Sequence, residues 1–90
     1  MDTAYFREHD PAERTTPYHH KAGVALYNDG AVKVIETTPT VVTARVSGEN
    51  TRTVQFVLRD GALDWQCTCK KNQERFCKHA VAVHTYVRNT

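Results

Sequence analysis

Hydrophobic and polar positions follow a helical spacing near residue 20, a strand-like spacing in the middle of the chain and a helical spacing again at the end. In the first of these segments the apolar residues share one helical face, formed by Tyr18, Ala22, Ala25 and Leu26. Thr16-Pro17 is a typical helix start, and Asn28-Asp29-Gly30 is a typical helix stop. The pattern predicts a helix over residues 17–28, in which Gly23 is an unfavourable residue.

The middle of the chain is rich in branched residues that alternate with polar ones. Four short runs show this pattern, at residues 31–37, 40–47, 51–59 and 62–68. They are separated by turn sequences at Thr38-Pro39, Gly48-Glu49-Asn50 and Asp60-Gly61. Connections this short join only antiparallel neighbours, so we predict a β-meander of three to four strands.

The last segment, residues 77–88, is a second predicted helix. On a helical wheel the side expected to face the sheet carries His79, Ala80, Val83, Tyr86 and Val87. The opposite side is expected to carry Val81, Thr85 and Arg88.

Residues 1–16 are polar and mixed in charge, and we predict a weakly ordered N-terminal arm there. Asp10-Pro11-Ala12-Glu13 is a possible helical turn within it. Residues 17–90 are then a single small domain. The net charge of +2 excludes no class of partner.

Three cysteines and one histidine lie close together in the sequence, as Cys67, Cys69, Cys77 and His79. Three thiolates and an imidazole are a common ligand set for a closed tetrahedral zinc site. Residues two apart on a strand point to the same side, so Cys67 and Cys69 share a face. Cys77 and His79 open the final helix. The spacing predicts one structural Zn²⁺ that joins a strand end to a helix start, in an α+β domain that ends in a ββα zinc finger.

Two alternatives to this metal site are ordinary buried residues and a redox or nucleophilic Cys-His pair. The first is disfavoured by the clustering, and the second because the four ligands leave no open position. The odd number of cysteines also argues against a disulfide framework.

The remaining histidines are weaker candidates for the metal. His84 rivals His79 as fourth ligand, but on a helix the two side chains diverge by about 140°, so we predict that His84 is a packed residue. His19 and His20 are adjacent and expected at the surface, with His20 at most a residue that supports a ligand.

The pattern Cys67-Thr-Cys69 … Phe76-Cys77-Lys78-His79, followed by a small aliphatic helix, resembles the SWIM zinc finger, C-x-C-x(n)-C-x-H. The resemblance extends over about residues 17–88. The sequence departs from the family pattern at Lys70, where bacterial members often have proline. The resemblance implies a zinc-bound ββα module with Cys67, Cys69, Cys77 and His79 as ligands. Family members are regarded as DNA-binding or protein-interaction modules, and some small ones partner recombinase paralogues.

Two functions remain open from the sequence. In the first, the module binds nucleic acid without strong sequence specificity, through the cations beside the ligands, Lys70, Lys71, Arg75 and Lys78. An equally good explanation of these cations is that they only balance the negative charge of the zinc centre. In the second, the chain is an adaptor that docks on a DNA-processing protein of recombinase or helicase type, through a sheet edge or through exposed Tyr5, Phe6 and Val81.

Neither function is enzymatic, since the sequence shows no carboxylate pair or phosphate-binding glycine loop. No small-molecule substrate and no membrane partner is expected. No apolar run approaches the roughly 18 residues of a membrane span, and the N-terminus lacks a secretory signal. We therefore expect a reducing intracellular compartment, the cytoplasm or, in a eukaryote, the nucleus.

Overall fold

The computed structural model describes residues 4–7, 13, 15–48, 50–69 and 75–89. Its helices are α1 (Ala4–Arg7), α2 (Pro17–Asn28) and α3 (Lys78–Arg88). Its strands are β1 (Val32–Thr37), β2 (Val41–Val46), β3 (Arg52–Arg59) and β4 (Ala62–Cys67). The strands form one antiparallel sheet in the order β1-β2-β3-β4. The predicted fold class, a small α+β domain with a meander and a C-terminal helix, is confirmed.

The alternation of side chains along the strands gives the sheet one buried face. Its buried residues are Val42, Ala44, Val46, Val54, Phe56, Leu63 and Cys67. The tightest connection is the two-residue turn between β3 and β4, where Asp60 and Gly61 both have positive φ, 50° and 77°. Such a turn matches the right-handed twist of the paired strands, which explains the Asp-Gly sequence. On β1 the register shifts between Val34 and Glu36, which marks a bulge in this edge strand.

Helix α3 packs against the strands on the buried face of the sheet. Helix α2 packs along α3. Helix α3 is therefore covered on two sides, and its residues 80–84 are all buried. The longest described helix, α2, has 12 residues, and none of the described helices has the length and apolar character that a bilayer crossing requires.

Contact between α2 and α3 corrects the predicted outward side of α3. Val81, expected to face solvent, has no exposed surface, because α2 crosses it at Gly23. A Cβ on Gly23 would lie 2.5 Å from Val81 Cβ and 2.7 Å from the Lys78 carbonyl oxygen. Gly23 is thus the residue that permits the close approach of the helices, although the sequence alone marked it as unfavourable.

The buried side of α2 also differs from the predicted one. Tyr18 is 74% exposed and Ala25 is exposed, whereas Gly23 is buried. The helix packs through its smallest residue, so the buried face centres on Gly23. On α3, Tyr86 was predicted to face the sheet but is exposed, and its ring packs edge-on against Tyr27 of α2 at 6.4 Å between centroids.

The start of the chain reaches the core through Phe6, which has no exposed surface. Its ring lies 5.5 Å from Phe56 and 5.1 Å from His84, measured between centroids. Phe6 is therefore not available as a surface contact, and that prediction was wrong. The side chain of Tyr5 and the possible turn at residues 10–12 lie outside the described residues. The boundary between an arm and a domain at residue 17 stays a prediction.

We predict that Gly23→Ala destabilises the fold, because the added methyl group overlaps Val81 and the α3 backbone. Overpacking of this kind costs about 1–3 kcal/mol, and a backbone contact puts this site at the upper end. Urea unfolding measures the change. Gly48→Ala is the control, since its Cβ would meet only one atom, 3.9 Å away. Equal stability of Gly23→Ala and wild type would contradict the close packing.

We also predict that Phe6→Ala lowers the free energy of unfolding by about 3–5 kcal/mol, as expected for removing a buried aromatic ring. The matched control is Tyr18→Ala, because Tyr18 is exposed and its removal leaves no cavity. Thermal unfolding followed by circular dichroism distinguishes the two variants. A Phe6→Ala chain as stable as Tyr18→Ala would remove residue 6 from the core.

Candidate metal centre

The end of β4 and the start of α3 bring the four predicted ligands together. Cys67 is the last residue of β4, and Cys69 lies in the turn that follows. Cys77 is the N-cap of α3 in extended conformation, and its Sγ accepts a hydrogen bond from the Ala80 amide at 3.4 Å. His79 is the second residue of the helix. A sulfur thus takes the place of the hydroxyl or carboxylate that usually caps a helix.

The four side chains have the separations of a tetrahedral site. Their ligand atoms all lie within 4.8 Å of one another. His79 Nδ1 is 3.7 Å from Cys67 Sγ and 3.8 Å from Cys77 Sγ. Zinc bonds of about 2.3 Å to sulfur and 2.0–2.1 Å to nitrogen, at a tetrahedral angle, put those atoms about 3.6 Å apart. The residues fit one structural Zn²⁺, with Nδ1 as the histidine donor.

The thiols of this cluster interact strongly before any metal is considered. A hydrogen bond from Cys67 lowers the pKa of Cys77 to about 4, and His79 and the Ala80 amide act in the same direction. The same hydrogen bond, together with burial, raises the pKa of Cys67. The Cys77 sulfur at the helix N-terminus is therefore the thiol of this pair that ionises first, and a bound zinc would take Cys67 as a thiolate too.

Aromatic packing fixes the segment that carries Cys77. Phe76 is buried, with its ring 5.3 Å from Trp65 of β4 and 5.6 Å from Phe56 of β3. The Thr15 hydroxyl donates a 2.6 Å hydrogen bond to the Phe76 carbonyl oxygen. Trp65 precedes Cys67 by two residues and Phe76 directly precedes Cys77, so this ring pair holds the two halves of the site in position.

None of the other described histidines belongs to the ligand cluster. His84 is 1% exposed and packs among Phe6, Phe56 and Phe76, with centroid distances of 5.1 to 5.9 Å. It is a core residue, as the helical geometry predicted. His19 lies at the start of α2, with Nδ1 3.0 Å from Thr16 Oγ1. His19 and His20 are both half-buried, and neither belongs to the ligand cluster among the described residues.

Only part of the predicted nucleic-acid-binding set is described. Lys70 and Lys71 lie outside the described residues. Arg75 and Lys78 are exposed on either side of the buried Phe76 and Cys77. Arg52 was not among the predicted site residues, although its spacing from Val54 and Phe56 places it on the core-facing side of β3. A charged residue at a position that the strand alternation assigns to the buried face was the feature of the sequence that could have identified it.

Comparison with known proteins agrees with the geometry. Residues 45–87 match the family model described as the SWIM zinc finger. The chain carries a SWIM zinc finger. Neither the curated proteins nor the solved structures gave a match. The matched SWIM segment includes all four ligands and most of the sheet, and a SWIM zinc finger is a binding module, not a catalytic domain.

We predict one zinc per chain, lost in Cys77→Ser and His79→Ala but retained in His84→Leu. Structural zinc contributes about 10–16 kcal/mol of apparent binding energy in small metal peptides, which exceeds the stability of most domains this small. The two ligand variants, and wild type with chelator, should therefore unfold at a much lower temperature. Metal analysis and circular dichroism give the two readouts.

The histidine pair makes this test specific for the ligand assignment. His84→Leu keeps an apolar side chain in the core, so a loss of zinc there has no packing explanation. Zinc far below one per wild-type chain purified without chelator would falsify the metal site. Release of zinc by His84→Leu but not by His79→Ala would reverse the roles of the two histidines.

Proposed function

We propose that this SWIM module contacts the phosphates of nucleic acid without strong sequence specificity. The observation that carries the proposal is the charge distribution along the sheet. Three cations, Lys33, Arg45 and Arg52, lie at the end of the sheet where β4 leads into the zinc site. The acids Glu36, Asp60 and Asp64 lie towards the other end, where Arg59 is the strand cation.

Cations at the zinc site extend the positive end of the sheet. Arg75 and Lys78 are exposed there, and Lys70 and Lys71 lie between the ligands in the sequence. Asp29, in the turn after α2, is a described acid on this side of the molecule. Several cations at one end of a small domain favour salt-dependent binding of a phosphate backbone.

The burial of α3 supports phosphate contact over base recognition. A helix that reads bases needs a polar face free to enter the major groove. In α3, residues 80–84 are covered by the sheet and by α2. Its exposed residues are Lys78 and Tyr86, at opposite ends of the helix. This arrangement offers no row of base-reading side chains within the described part of α3.

A non-enzymatic role and an intracellular location complete the proposal. Four protein ligands close a tetrahedral zinc site, so the metal has no open position for a substrate or an activated water. Thiolate ligands persist in reducing compartments, which favours the cytoplasm or, in a eukaryote, the nucleus.

We expect the zinc-loaded chain to bind single- and double-stranded DNA at low salt, with an affinity that falls steeply as salt rises. Each lost phosphate contact reduces the slope of log affinity against log salt by about 0.9 on duplex DNA. Lys70→Ala combined with Lys71→Ala, and separately Arg75→Ala, should reduce this slope. Fluorescence anisotropy across a salt series measures it.

Lys21→Ala is the control, because Lys21 is exposed on α2 and away from the zinc ligands in sequence. Its slope should equal that of wild type. Scrambling the DNA sequence should leave the affinity nearly unchanged. Absence of binding at low salt, with a stable protein partner recovered instead, would reject nucleic-acid contact in favour of the adaptor role.

Of the adaptor surfaces expected from the sequence, Phe6 and Val81 are buried, whereas a sheet edge stays a candidate. The outward face of the sheet is the main alternative. A polar ladder crosses it, in which Gln66 Nε2 donates to Gln55 Oε1 at 3.0 Å and Gln55 Nε2 donates to Thr43 Oγ1 at 3.1 Å. A protein that docks over the centre of this face would protect the ladder from solvent.

A further inference from the structure

A small groove opens beside the zinc ligands, with a volume of about 180 Å³. It lies between the turn that joins β2 to β3, the end of α2 and the start of α3. Its lining residues are Leu26, Ser47, Gly48, Asn50, Arg52, Cys69, Lys78 and His79. Pockets for whole small-molecule ligands have about 300–1,000 Å³, so this groove fits a single chemical group with water.

Two cations enter the groove from different elements. Arg52 begins β3 on the core-facing side and is half-buried, and Lys78 begins α3 between two metal ligands. Neither makes an ion pair with an acid in the part of the chain that the structure describes. Arg52 pairs in register with the buried Val46. Its guanidinium group is therefore held at the open end of the core, towards the metal site and not on the outward face of the sheet.

His79 supplies a hydrogen-bond donor whose position depends on the metal. Its Nδ1 is the atom near the sulfurs, so zinc on Nδ1 leaves the ring proton on Nε2. A zinc-bound histidine usually donates this second N–H to a carbonyl, a carboxylate or water. No described residue accepts a hydrogen bond from Nε2, and His79 lines the groove.

The charges in and around the groove select an anion. Zinc with three thiolates and an imidazole carries a charge of −1. Among the described residues that line the groove, Arg52 and Lys78 carry two positive charges, so one singly charged anion balances them together with the metal centre. A phosphodiester is such an anion, and the guanidinium group, the ammonium group and the N–H of His79 are suitable donors to it.

We infer that this groove binds one backbone phosphate of a nucleic acid, held by Arg52, Lys78 and the Nε2–H of zinc-bound His79. The choice of ligand depends on the function proposed above, and the groove specifies where on the surface the strand is held. Zinc loading is then required for binding as well as for folding, because the metal fixes the donor nitrogen of His79.

The first test is the salt dependence of binding to a labelled single-stranded oligonucleotide, with the zinc-loaded full chain. Arg52→Gln and Lys78→Gln should each reduce the slope, and the double substitution should reduce it by about 0.7, the value for one phosphate contact on a single strand. Arg59→Gln is the matched control, since it ends the same strand on the outward face. Lys21→Gln is the control for Lys78. Both controls should keep the wild-type slope.

The second test uses inorganic phosphate and the imidazole nitrogen signals of His79 in NMR spectra. A saturable shift of the Nε2 signal is expected in wild type and in Arg59→Gln, with an apparent dissociation constant raised several-fold in Arg52→Gln. Zinc content is measured for each variant. Loss of zinc from Arg52→Gln would assign the guanidinium group to the charge of the metal centre and overturn the inference.

The two tests separate the groove from the wider proposal. DNA binding with wild-type slopes in Arg52→Gln and Lys78→Gln, and no phosphate shift, would overturn the groove and leave nucleic-acid contact intact. A phosphate shift without any DNA binding would keep the groove as an anion site and reject nucleic-acid contact. Failure of both measurements would overturn both.

Discussion

The meeting of Cys67, Cys69, Cys77 and His79 at one point holds the end of β4 against the start of α3, and one structural zinc fits this junction. The ligands come from the last residue of a strand, the following turn, a helix cap and the first helical turn. Phe76 lies between Trp65, Phe56 and His84, so the metal site and the aromatic core meet at one segment.

Zinc coordination at this position contributes to the stability of the fold because the apolar core is small. Apart from Phe6, Phe56 and Phe76, the largest fully buried apolar side chains are valines. A domain of 90 residues buries a modest share of its surface, and its net stability is a small difference between large terms. Metal binding adds free energy that does not depend on apolar area.

The sequence was sufficient where local chemistry decides the structure. The Asp60-Gly61 turn, the Thr16-Pro17 helix start and the alternation along β2 and β3 each specify their element with few neighbours involved. The ligand cluster was equally visible, because four donor side chains at this spacing have few other uses. From these local features alone, the sequence predicts the antiparallel meander and the position of the metal site.

The sequence was insufficient where one element covers another. A helical wheel assumes that a helix has one buried side, but α3 has two, since α2 covers Val81. Gly23 is a poor helix former by intrinsic propensity, and its role becomes clear only from its close contact with Val81 of α3. Phe6 belongs to a short polar segment whose place is set by contacts with Phe56 and His84, far away in sequence. The position of Arg52 beside the metal site likewise follows only from the register of the sheet.

The contact between Phe6 and His84 has a consequence for the order of events in folding. Antiparallel neighbours in the meander are close in sequence, so the sheet forms from short loops with a small entropic cost. The rings of residues 6 and 84 close a loop of nearly the whole chain. During synthesis the sheet can assemble first, but the aromatic core must wait until α3 has left the ribosome. The nascent chain therefore cannot pack Phe6 and Phe56 against His84 before that moment.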